Sequence, residues 1–103
     1  MIKRLSEYDR RQLALMLDFI HEFETGRIGL GQLVSNLEAL KSALESPPST
    51  FSQTFEPLWG QLEITYAMML DEERTDPSDL DKGLIDESVS GLRTLIAQMQ
   101  PDP

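Results

Sequence analysis

The chain has 103 residues, no cysteine, and 18 acids against 9 bases, for a formal net charge of −9 and a pI near 4.4. Its 40% hydrophobic content is too high for disorder, and its length suits one domain, 1–103, with a core of its own. Absence of cysteine excludes disulfides and thiolate chemistry, and the acidity argues against nucleic acid and anionic membranes as direct partners.

Met1 to Arg11 carries charge without the apolar stretch of a secretion signal. Apolar runs such as Leu13–Leu17 and Tyr66–Leu70 fall far short of the roughly 20 residues of a spanning helix. The expectation is a soluble, cytoplasmic protein.

Four segments carry apolar residues at helical spacing. The first runs from about 7 to 24. Ser6 suits its N-cap, with Asp9 as the capping-box acid. Leu13, Met16, Leu17, Ile20 and Phe23 share one face, which Tyr8, Leu15 and Phe19 widen. Gly26 is placed to stop it.

The second helix runs from about 30 to 44 and carries the stripe Leu30, Leu33, Val34, Leu37, Leu40 and Leu44. The glycine-rich turn before it reads as a tight reversal, because no strand precedes it and no Lys-Ser/Thr follows, as a phosphate loop requires.

Pro47 and Pro48 break the chain. Ser49 or Thr50 can cap a third helix over about 50–73, in which Pro57 either makes a kink or marks the start of the main segment. Phe55, Leu58, Trp59, Leu62, Tyr66, Met69 and Leu70 line one face of it. A second apolar stripe, Pro57, Gly60, Ile64, Ala67 and Met68, lies opposite. Either this helix is buried nearly all round, or the second stripe is exposed and docks a partner or a second copy.

Asp76 as N-cap, Pro77 at N1 and Asp79 at N3 predict a fourth helix over about 77–99. Leu84, Ile85, Ser88, Val89, Leu92, Leu95, Ile96 and Met99 form its apolar face. Pro101 ends it, and the tail 101–103 is expected to fray. Short loops between sequential helices imply an all-α, antiparallel four-helix bundle.

Order along the chain resembles small acidic all-helical bacterial proteins, some of them of toxin-immunity type. Thr25-Gly-Arg-Ile-Gly-Leu30, Leu58-Trp-Gly-Gln-Leu-Glu-Ile-Thr-Tyr-Ala67 and Asp76-Pro-Ser-Asp-Leu80 carry that resemblance. In size, acidity and helix number the chain is also similar to the colicin nuclease immunity proteins. Those carry paired tyrosines and a proline in the third helix. Here Tyr66 stands alone, so no site residue is carried over. The resemblance implies a bundle that blocks a toxin by binding it.

Charge is unevenly placed. Residues 1–55 hold 7 acids against 6 bases, whereas residues 56–90 hold 10 acids against 2 bases. Asp71, Glu72 and Glu73 end the third helix, where the helix dipole disfavours anions. Asp76 and Asp79 open the fourth, where it favours them, and Asp86 and Glu87 follow. A metal reading fails on spacing, since the calcium-loop pattern begun by Asp79 and Asp81 has Gly83 one place early and Ser90 where the bidentate Glu belongs. His21 is the only histidine, at the edge of the first helix's apolar face, and a base needs a cleft and partners besides. No catalytic signature stands out, and neither cofactor nor metal is expected.

The reading is a non-enzymatic binding protein whose partner is a basic toxin or effector protein. The partner-binding residues are Asp71, Glu72, Glu73, Asp76, Asp79, Asp86 and Glu87, with Ile64 and Met68. The alternative is a helical adaptor or regulatory subunit, a homodimer or heteromer, that assembles through the Ile64/Met68 stripe.

Overall fold

The computed structural model describes residues 5–99. It is all helical, with α1 over Glu7–Glu24, α2 over Leu30–Ala43, α3 over Ser49–Asp71 and α4 over Asp79–Met99. The expected effect of Pro101 and the fraying of 101–103 lie outside the described residues.

Helix contacts form a ring. α3 packs most extensively on α4, α1 on α2, and the narrower seams join α2 to α3 and α1 to α4. Lys41 pairs with Glu56 at 2.8 Å, the Val34 carbonyl accepts from Trp59 Nε1 at 3.0 Å, and Gly31 lies under Tyr66. Partner numbers fall as α2 numbers rise, so α2 and α3 run in antiparallel register. The α3–α4 seam behaves likewise: Gln61 reaches Leu84 and Ser88, and Leu58 covers Gly91. The principal extents are 48 × 25 × 20 Å.

The core takes the predicted faces with few exceptions. Leu13, Met16, Ile20, Leu33, Leu37, Leu62, Leu92 and Ile96 are all but inaccessible. Phe51 joins them, stacked on Phe55 with ring centroids 5.5 Å apart. Phe51 escaped the sequence reading because Pro57 was expected to divide the helix or to begin its main segment. α3 runs from Ser49 past Pro57, so Pro57 does not start it, and the proline sits on the exposed side. There proline supplies no N–H to the Gln53 carbonyl, and both residues lie on the exposed side of the helix. Tyr8, Leu15 and Leu70, expected on core faces, are exposed.

Capping explains the boundaries. Ser6 Oγ accepts from Asp9 N–H at 3.0 Å, as expected of an N-cap. The Asp9 carboxylate does not reach back as a capping-box acid, however. It is fully buried and accepts from Glu45 N–H at 2.8 Å and Ser46 N–H at 3.1 Å. After α2 the chain leaves in an extended conformation at Leu44, which frees those two donors. The first turn of α1 is favourable ground for an anion, so one carboxylate serves both helices. α1 ends in a Schellman motif with Gly26 left-handed at φ 82, as its glycine predicts. α3 begins after Pro48, which has no side chain to cap with, so neither Ser49 nor Thr50 acts as the cap.

Candidate functional site

The acidic corner is the turn from α3 to α4. α3 ends at Asp71, two residues before the expected stop, because Glu73 adopts φ 54. Glu73 N–H donates to the Leu70 carbonyl at 3.1 Å and Arg74 N–H to the Met69 carbonyl at 2.8 Å, a Schellman motif without its usual glycine. A side chain in that conformation costs about 1–2 kcal/mol.

The turn folds Arg74 back over the start of α4. Its guanidinium donates to Glu72 at 2.6 Å and to Asp81. Asp81, largely buried, also accepts from Ser78 N–H at 3.0 Å, while Ser78 Oγ accepts from Asp81 N–H at 3.1 Å. These reciprocal bonds are a capping box, and they correct the expected start of α4. Ser78 is the N-cap and Asp81 the N3 acid, displacing Asp76 and Asp79 from those roles, because only this pair closes both bonds. The Arg74 hydrogen bond and the Ser78 N–H hold the Asp81 carboxyl below the usual carboxylate range. The hydrogen bonds to Asp81 and then to Glu72 raise Arg74 above its ordinary value.

Asp71, Glu72, Glu73, Asp76 and Asp79 are all exposed at this turn. Only Glu72 has an ion-pair partner among the described residues; Asp71, Glu73, Asp76 and Asp79 face water with no cation against them. Asp86 and Glu87 are exposed on α4 but point about 100° apart. Asp86 continues the line of Asp79, seven residues earlier, and Glu87 continues that of Leu80.

Ile64 and Met68 are 60% and 53% exposed, so α3 is not buried all round. Leu80, in the first turn of α4, is 73% exposed and was missed. The signal was present, since Leu80 falls outside the arc that gathers the other apolar residues of its helix. The Gln61–Ser88 and Leu58–Gly91 contacts set a register that puts Met68 level with Leu80 and Ile64 level with Leu84. A shallow depression of about 390 Å³ continues along this seam over Gly91, between Leu58 and Thr94.

A larger cleft of about 640 Å³ lies on the other side of α3, between its last turns and the first turn of α2. Gly31, Gln32, Tyr66, Leu70 and Arg74 line it. A Cβ on Gly31 would come within 2.5 Å of the Tyr66 ring, so the glycine lets that ring lie on α2. His21 is exposed in the last turn of α1, and the described residues contain no group of three or more His, Cys, Asp or Glu placed to hold a metal ion. None of the helices, as far as they are described, is long and apolar enough to cross a membrane.

No known family model matches the chain, and no characterised protein or solved structure does either.

Proposed function

We propose that the chain is a non-enzymatic cytoplasmic protein that neutralises a basic bacterial toxin or effector by stoichiometric binding. The observation that carries this reading is the set of carboxylates Asp71, Glu73, Asp76 and Asp79, exposed on one turn and without an ion-pair partner among the described residues. Such a field speeds encounter with a cationic surface and disfavours other partners. Neighbouring apolar side chains would then slow dissociation. The test is retention of a lysate protein on the immobilised chain at low salt, its release by salt, and assay of its activity with and without the chain. Reversing Glu73, Asp76 and Asp79 to Lys should slow association at least about tenfold and flatten its salt dependence, with the helical circular dichroism unchanged. A partner whose activity is untouched, or one that binds the reversed variant equally well, refutes the reading.

A second reading is favoured by the exposure of Ile64 and Met68: an adaptor subunit assembled through that stripe. It predicts a salt-insensitive oligomer that Ile64→Asp converts to a folded monomer. Equal mass for both proteins by sedimentation equilibrium would exclude it.

A further inference from the structure

The α3–α4 seam presents an exposed apolar strip that leads into a shallow depression. Its upper end is apolar, where Ile64 and Met68 stand on one side and Leu80, with half-buried Leu84, on the other. Its lower end is the shallow depression beside Gly91, against which Leu58 packs closely. Leu80 to Gln98 spans about 27 Å of helix at 1.5 Å per residue. That length fits an occupant helix of about 18 residues.

The rim decides the chemistry of the occupant. Asp71 lies two turns beyond Ile64 on the same line of α3, while Glu72, one turn beyond Met68, is held by Arg74. Glu87 lies two turns beyond Leu80 on α4. An apolar floor edged by carboxylates repels an anionic lipid surface. It also repels a second copy of this chain, because a symmetric pairing would bring two such rims together. Lysine or arginine beside an apolar stripe satisfies floor and rim at once.

We infer that the α3–α4 groove is a docking site for a basic amphipathic helix of the partner, with Met68 and Leu80 as its apolar anchors. The inference rests on the acidic reading above and specifies which segment of a basic partner is bound. Recognition is of the helix-in-groove kind, in which anchors at i, i+3, i+4 and i+7 enter the floor.

The probe is a synthetic 18-residue peptide of Leu and Lys with Leu at helical spacing. Two controls accompany it: the same residues scrambled, and the same stripe with Glu replacing Lys. Binding is measured calorimetrically at low salt. The patterned Lys peptide should bind at least about tenfold more tightly than its scramble. M68Q with L80Q should abolish that advantage, whereas L15Q, an exposed apolar site on α1, should leave it intact. All three positions are exposed, so folding should survive, with circular dichroism as the check. Equal binding of patterned and scrambled Lys peptides overturns the groove while leaving the acidic reading standing. Equal binding of the Lys and Glu peptides overturns both. A concentration-dependent dimer that L80Q dissolves assigns the groove to a second copy and overturns the inference.

Discussion

Asp9 is the residue on which the first half of the fold turns. Its carboxylate satisfies two backbone donors that lie 36 and 37 residues away. Asp9→Ala should cost about 2–3 kcal/mol, since both N–H groups lose their acceptor in a partly buried site. Asp9→Asn should cost less, because the amide oxygen still accepts. Urea unfolding measures both, and an alanine variant within about 0.5 kcal/mol of the parent would contradict the account. Asp81 plays a comparable part at the other end, with a pH signature. Its folded carboxyl titrates below the usual value, so the unfolded chain takes up this proton first as pH falls. The stability it adds is therefore fully present above about pH 4 and is lost as pH drops through the lowered folded value. Asp81→Asn should narrow its stability deficit across that acid range. A deficit that stays constant there would show that the ion pair contributes no such dependence.

At the scale of elements, α3 carries the most information about function. Both of its irregularities, Pro57 and Glu73, fall on exposed positions. The left-handed Glu73 places a carboxylate where glycine would be cheaper. Glu73→Gly should stabilise the protein by about 0.5–1 kcal/mol, read as a rise in thermal midpoint. If the acidic turn recruits the partner, the same change should slow association, giving opposite effects on stability and binding. A rise in stability with unaltered association would remove Glu73 from the site. Helix positions were legible in the sequence because apolar spacing at 3.6 residues survives every local exception. Ser6, Gly26 and the stripes of α1, α2 and α4 could be read directly. The start of α4 could not, since Asp76–Asp79 and Ser78–Asp81 offer competing caps, and it is the reciprocal bonds of the second pair, with Arg74 added on Asp81, that decide between them. Leu80 was overlooked for a related reason: attention to the apolar face hides the one leucine that leaves it. The partner of Asp9 was beyond reach, because nothing local announces a bond across two helices.

For the molecule as a whole, charge and packing divide the labour. The α1–α2 and α3–α4 pairs are the broad interfaces, and the seams between pairs are narrower. Most of the net charge sits on the second pair, where residues 49–99 hold 10 acids against 3 bases. The candidate site thus belongs to one helical hairpin, and the other supplies its support through Val34, Lys41 and the core. The resulting body is about twice as long as it is broad. Its radius of gyration is 14.1 Å, against about 13 Å for a compact domain of this length. Elongation raises hydrodynamic drag, so a lone chain should travel through a sizing column as though heavier than 11.7 kDa. Elution volume would then mimic partial dimerisation, and stoichiometry must come from scattered light or sedimentation equilibrium, which weigh the particle rather than time its passage.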